Sequence, residues 1–207
     1  QMKSSLEKTT IKRDLLQYEV EQQTSQLRSQ HIKLRFLAEH DDLTGLYNRR
    51  AFENQVNIAL ARDRRTDSMA GMLFIDLDKF KEINDTHGHD VGDLVLVVTA
   101  TRLKELTRES DLVGRLGGDE FVVWLDLIVK ADEVAKKAQS IMDVLSQPIE
   151  HDSHQLCVGA SIGISIFPHD GTNFTALLKA SDHAMYKAKP LAQSAYCFYQ
   201  ANGMTEV

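Results

Sequence analysis

Cysteine is scarce in this chain: Cys157 and Cys197 are the only two in 207 residues. They lie far apart among apolar neighbours, so a disulfide framework is excluded. They read as reduced, buried thiols of a cytosolic domain. A basic excess is also missing. Lys and Arg number 24 against 30 Asp and Glu, a net charge of −6. That argues against a duplex DNA binder, which needs a basic face, but a nucleotide substrate stays open because a divalent cation can neutralise phosphates locally. No apolar run approaches the ~20 residues that span a bilayer, and no secretory signal is visible, so no membrane contact is expected of this segment. The chain begins with Gln1, not Met. It is expected to be part of a longer protein, the cytoplasmic portion of a sensor whose input domain lies upstream.

Hydrophobic residues make up 43% and charged residues 26%, as in a globular protein with one good core and an appendage. The appendage is residues 1–40, which contain neither Gly nor Pro. Leu6, Val20, Leu27 and Leu34 share a seven-residue register that Arg13 interrupts; Leu16, Gln23, Gln30 and Leu37 form a second seam. Either a solvated linker helix or a marginal parallel coiled coil joining two copies fits this pattern. The body, 41–207, reads as a turn at 41–46, a helix from Asn48 to about Arg64, a buried strand 69–76, and a polar loop 77–90. A helix 91–107 follows, then a hairpin of 111–116 and 120–126, a helix 131–145, a strand 156–167, a helix 172–189 and a short strand 196–199. This order predicts an α/β (α+β) fold: a ferredoxin-like sandwich with a central, mostly antiparallel five-stranded sheet flanked by helices.

The hairpin tip is Arg115-Leu-Gly-Gly-Asp-Glu-Phe121, followed by Val-Val-Trp-Leu. Two glycines permit positive φ and leave room for a bulky ligand. Asp119 and Glu120 beside that room suggest a cation, a proton acceptor, or both. Asp76 closes the first buried strand, which the predicted topology sets beside the hairpin. Two converging carboxylates plus phosphate oxygens are how Mg²⁺ is commonly held, a stronger reading than a strand-end cap beside an ordinary turn residue. Lys79 and Lys81 flank Phe80 in the following loop and suit phosphates. Asn84 and Asp93 carry the amide and carboxylate that suit a guanine edge. His87 and His89 lack further ligands at sensible spacing, so zinc is not expected.

These residues resemble the GGDEF domains, the diguanylate cyclases. The heptad at 115–121 resembles their signature. Asp41-Asp-Leu-Thr-Gly-Leu-Tyr-Asn-Arg49 resembles their opening motif. Phe74-Ile-Asp-Leu-Asp-Lys-Phe-Lys81, Ile83-Asn-Asp85 and Gly88-His89 through Gly92-Asp93 resemble their nucleotide loop, and Ala184-Met-Tyr186 with Ala188-Lys189 their last helix.

The resemblance implies condensation of two GTP into cyclic di-GMP with loss of two pyrophosphates, by a homodimer in a bacterial cytoplasm. It implies Mg²⁺, or Mn²⁺, on Asp76, the Leu77 carbonyl and Asp119. Asp119 also accepts the proton of the attacking hydroxyl, Glu120 assists the metal site, and Lys81 stabilises phosphate charge. Phe80, Asn84, His89 and Asp93 contact the substrate, and Lys189 reaches its terminal phosphates. Arg108 and Asp111, an Arg-x-x-Asp before the hairpin, imply a product-inhibition site with Arg115 as a further contact. One departure stands out: Gln193 sits where an Arg is expected, and Gln supplies no charge to a triphosphate, while Pro190 is expected to end the helix early. The alternative reading is therefore a catalytically idle domain that binds GTP or cyclic di-GMP.

Overall fold

A computed structural model divides the chain into two units, one ending at Glu39 and one starting at His40. It describes residues 2–66, 68–151, 154–190 and 194–200, with side chains described except at 2–15, 19 and 154. The first unit is a single helix, α1 (Met2–Glu39). Along it, Gln17 and Arg35 each bond the Glu four residues on. The seam residues Leu16, Val20, Leu27, Leu34 and Leu37 are all at least half exposed; the side chains of Leu6 and Arg13 fall outside the described set.

The second unit runs β1 (Tyr47–Asn48), α2 (Arg49–Thr66), β2 (Met69–Asp78), α3 (Phe80–His87), α4 (His89–Leu106), β3 (Leu112–Gly117) and β4 (Glu120–Ile128). It continues with α5 (Ala131–Leu145), β5 (Ile149–His151), β6 (His154–Leu156), β7 (Gly159–Phe167), α6 (Phe174–Ala188) and β8 (Ala195–Phe198). The main sheet has the order β1-β3-β4-β2-β7-β8, with β5 and β6 a separate hairpin. The inner pairs are antiparallel; β1–β3 and β7–β8 are parallel.

Strand alternation sorts the core into two layers. Leu73, Ile75, Phe121, Val123 and Ile162 face α4 and α5, meeting Val95, Leu103, Val134 and Ile141. Met72, Phe74, Val122 and Trp124 face α2 and α6, meeting Phe52, Val56, Leu60, Phe174 and Leu177. Gly163 on β7 permits the second layer to close: a Cβ there would strike the Ser181 carbonyl and the Met185 amide of α6.

The architecture expected from sequence is present, with four corrections. The sheet has six strands because the two-residue β1 pairs with β3. The stretch 77–90 is not a loop: β2 extends to Asp78, Lys79 turns the chain with φ 59°, and α3 follows. Only Phe80 and Ile83 give α3 apolar periodicity, too little to register as a helix. The 156–167 segment is broken, with β6 ending at Leu156 and β7 starting at Gly159. Finally, the cysteines are not buried: Cys157 is exposed and Cys197 half-buried. Cys157 lies between Leu156 and Val158, both buried, so the alternation turns its thiol outward.

Candidate active site

The hairpin tip is shaped by its glycines. Gly117 and Gly118 have φ of 147° and 54°, so Gly118-Asp119 forms a two-residue loop between the paired Gly117 and Glu120. Arg115 braces this loop from beneath. Its Nε and Nη2 donate to the Gly118 carbonyl at 3.0 and 2.8 Å, and Nη1 donates to both oxygens of Asp41 at 3.0 and 3.2 Å. Asp41 also accepts from the Thr44 amide and hydroxyl, at 2.9 and 2.6 Å. Burial pushes the Asp41 carboxyl up, but the Thr44 and Arg115 donors outweigh it and hold it below the usual carboxylate range. The opening turn and the hairpin tip are thereby fastened together.

Asp76 lies on β2 directly across from Glu120 on β4 and Ser161 on β7. It is inside the strand, two residues before its end, and only 7% exposed. The Leu77 amide donates to the Asp119 carbonyl at 3.3 Å, joining strand and hairpin tip. Lys189, just beyond α6, places its Nζ 2.9 Å from Asp76 Oδ1. Burial raises the Asp76 carboxyl; the Lys189 hydrogen bond opposes this, and the Asp119 charge adds to it. Glu120 is also raised, by burial and then by Asp76, Asp119 and Asp182, against Arg49. For Lys189, burial disfavours the charge but the Asp76 partner outweighs it, so its ammonium is held more firmly than usual.

Asp76, Leu77, Phe80, Lys81, Asp119 and Lys189 line one cavity of about 330 Å³. Six expected site residues therefore meet, from four places in the chain. Glu120 opens instead into a neighbouring cleft between α2 and α6, with Arg49, Lys179 and Asp182. A larger cavity of about 570 Å³ lies on the other side of Asp78 and Lys79, against Glu82, Thr86 and Cys157. The smaller one is the candidate site, because the converging acids Asp76 and Asp119 line it together with Lys79, Lys81 and Lys189. In the larger one the Asp78 carboxylate is already committed, to the Ser161 hydroxyl at 2.7 Å and the Ser194 amide at 3.0 Å.

The donor set suits a hard cation, but only with help. Among the described residues no three His, Cys, Asp or Glu side chains stand close enough to hold a metal alone. Asp76, Asp119 and the Leu77 carbonyl are oxygen donors of the kind Mg²⁺ takes, with the remaining positions left to water and phosphate. The Asp76 and Glu120 carboxyls are raised by burial first and by neighbouring acids second, so a bound cation would favour their charged forms.

Beside the cavity, α3 and α4 meet at Gly88. Asn84 leans onto α4 where Gly92 leaves space; a Cβ at Gly92 would collide with Asn84 Oδ1 and press on Phe80. The next residue, Asp93, is exposed on the same turn, and His89 is the exposed first residue of α4.

The Arg108–Asp111 motif forms a tight turn. Asp111 Oδ2 accepts from the Arg108 amide at 2.9 Å, and Oδ1 from the Asp126 amide at 3.2 Å. The two residues border a small cavity of about 50 Å³ with Asp126, Glu133 and Lys137. Arg115 does not join them, because all three of its nitrogens are engaged with Gly118 and Asp41. An ion cluster absent from the sequence reading stands behind the motif: Arg62 bonds the buried carboxylates of Asp63 and Asp126. Two charged residues at helix and strand ends look like solvent-facing positions, so no sequence signal marked them.

Comparison with known proteins matches this geometry to a family. Residues 38–194 match the family model described as the diguanylate cyclase, GGDEF domain. Diguanylate cyclase TpbB of Pseudomonas aeruginosa is 40% identical over 176 residues, 84% of this chain and 40% of that protein. The response regulator PleD of Caulobacter vibrioides is 40% identical over 161 residues, 77% of this chain and 36% of that protein. The chain spans 20% to 40% of the length of such curated relatives. The crystal structure of the TpbB GGDEF domain superposes with a TM-score of 0.75 at 39% identity, covering 77% of this chain and 99% of that one. The GGDEF domain of DgcB from Caulobacter crescentus, solved in complex with c-di-GMP, gives 0.73 at 25% identity, covering 79% and 94%. With its signature hairpin, its paired strand and its topology all in place, this chain belongs to the GGDEF family.

Proposed function

We propose that this chain is a diguanylate cyclase: two copies, each holding one GTP, join the nucleotides into cyclic di-GMP and release two pyrophosphates. In each half-reaction the bond from O3′ to the α-phosphorus forms, the α–β phosphoanhydride breaks, and the hydroxyl proton passes to Asp119. Lys81 and Lys189 offset phosphate charge, a positioned-cation role. Asn84 and Asp93 read the guanine, with Phe80 and His89 beside it. A bound Mg²⁺ or Mn²⁺ supplies Lewis-acid stabilisation of the phosphates, held by Asp76, Asp119 and the Leu77 carbonyl, with Glu120 supporting from the next strand. The observation that carries this reading is the single cavity in which Asp76, Asp119, Lys81 and Lys189 meet. The bound c-di-GMP in the DgcB structure supports it, as does the TpbB name.

The test is purified protein with GTP and Mg²⁺, with product separated by chromatography. The native chain yields cyclic di-GMP and Asp119→Ala yields none; no product from a verified dimer overturns the reading. Product inhibition through Arg108 and Asp111 belongs to the same proposal, and unchanged cyclic di-GMP binding by Arg108→Ala in calorimetry removes it. An upstream sensor domain and a cytoplasmic setting complete the picture. The second reading, an idle nucleotide-binding domain, is favoured by Gln193 alone, a residue outside the described set.

A further inference from the structure

We propose that Lys189 is an internal stand-in for the metal. Its ammonium holds Asp76 until nucleotide phosphates draw it away, so the divalent cation and the nucleotide load together. This rests on Asp76 being the cation's ligand, as argued above.

Asp76 is nearly buried at the centre of three strands, flanked by Glu120 and Ser161. A carboxylate in that setting is costly unless a positive charge partners it. Lys189 supplies that charge, at 2.9 Å, from a side chain that is 44% exposed and can swing. An ammonium is a compact charge on a flexible stem, so it changes partner without the geometric demands of a guanidinium. Both residues line the cavity that also holds Lys81 and Asp119.

The charge count decides the order of loading. With Lys189 on Asp76, a dication arriving alone meets an ammonium on the carboxylate it must use, and like charges this close in a partly buried site repel strongly. Without nucleotide, Asp76 is the partner that Lys189 holds. A polyphosphate changes both terms: its oxygens offer Lys189 a new partner and offer the cation the ligands that the protein lacks. The absence of a three-side-chain metal cluster among the described residues agrees with a site completed by substrate. The positive charge on Asp76 is exchanged, never lost.

The experiment counts bound Mn²⁺ by the electron paramagnetic resonance of the free ion, using the whole chain as native protein, Lys189→Met, Lys189→Gln and Lys81→Met. Each is measured without nucleotide and with 3′-deoxy-GTP, which cannot react. Native protein is expected to bind Mn²⁺ weakly alone and tightly with the analogue. Both Lys189 variants are expected to bind Mn²⁺ about ten-fold tighter than native without nucleotide, the scale of removing one adjacent charge, and to show less enhancement by the analogue. Lys81→Met, whose charge is not on Asp76, keeps the native Mn²⁺ affinity without nucleotide, the arm in which its phosphate role plays no part. Equal nucleotide-free affinity in native protein and the Lys189 variants overturns the stand-in role while leaving the metal site intact. An equal gain in Lys81→Met also overturns it, since bulk charge then explains the effect. No Mn²⁺ binding by native protein with the analogue removes the proposed metal site, and this inference with it.

Discussion

Removing the Arg115 side chain tests whether the hairpin tip is held by its own turn or by the start of the domain. Arg115 is 12% exposed at its side chain and Asp41 25%, so their pair is largely shielded from solvent. Arg115→Ala deletes the two-pronged contact to the Gly118 carbonyl and the contact to the Asp41 carboxylate. A hydrogen bond to a charged group contributes ~1.5–3 kcal/mol and a neutral one ~1 kcal/mol. Asp41 keeps its two Thr44 donors and some water, which trims the loss. The expected destabilisation is ~2–3 kcal/mol near neutral pH, a fall in Tm of roughly 4–12 °C for a chain of this size. The pH dependence supplies an independent check. Asp41 has a folded carboxyl below its ordinary value. Its contribution is therefore complete above the unfolded value of ~3.9 and is lost as pH falls through the lower folded value. Part of that depression comes from Arg115, so the gap between native and variant should shrink below about pH 4. Arg115→Lys keeps charge near Asp41 but loses the fork to Gly118 and should fall between the two. Urea titration at fixed protein concentration, followed by fluorescence and circular dichroism, measures all three. A loss under ~0.5 kcal/mol at neutral pH, or a loss that does not change on acidification, refutes the brace.

Two further substitutions test the geometry. Glu120→Gln removes a charge directly opposite Asp76; like charges so placed cost ~0.2–1 kcal/mol. Because burial and neighbouring acids raise the Glu120 carboxyl, the folded state binds more protons than the unfolded one in the window above ~4.3, and native stability falls as pH rises through it. The variant should thus be more stable than native at neutral pH and equal to it in acid, by thermal melts across pH; a destabilised variant refutes the like-charge account. Gly92→Ala pushes a methyl into Asn84 Oδ1, and should raise the KM for GTP at least ten-fold, ~1.4 kcal/mol, with little change in Tm. An unchanged KM would separate Asn84 from guanine binding.

Much of the site was legible because its residues sit where local pattern is strong. Two glycines and two acids between apolar runs define a hairpin without further information, and the turn dihedrals of Gly117 and Gly118 follow from it. Asp76 looked like a strand end because the apolar run stops at Ile75. The strand nevertheless runs on to Asp78, paired on both sides, since backbone pairing does not need an apolar side chain. The Asp76–Lys189 pair had no local signal at all: an acid in one strand and a lysine after the last helix meet only once α6 packs against the sheet. The intramolecular partners of Arg115 had no local signal either. They are Gly118, reached by the hairpin's own curl, and Asp41, 74 residues away. Short-range pattern picked out the candidate residues, and long-range packing decided which of them touch.

The same distinction governs how the proposed inhibitory role of the Arg108–Asp111 turn should be probed. Asp111 is structurally committed, with one carboxylate oxygen on the Arg108 amide and the other on the Asp126 amide. The Asp126 carboxylate in turn carries Arg62, which also bonds the fully buried Asp63. Removing Asp111 therefore loosens the turn before β3 and disturbs the strand that bears a buried ion cluster, where leaving a charge unpaired is costly. Weakened ligand binding in an Asp111 variant then has two explanations. Arg108 joins the turn through its backbone, and its guanidinium makes none of these bonds. Truncating it leaves the turn, the Asp126 contact and the ion cluster in place, so a change in cyclic di-GMP binding with unchanged Tm reports on recognition alone.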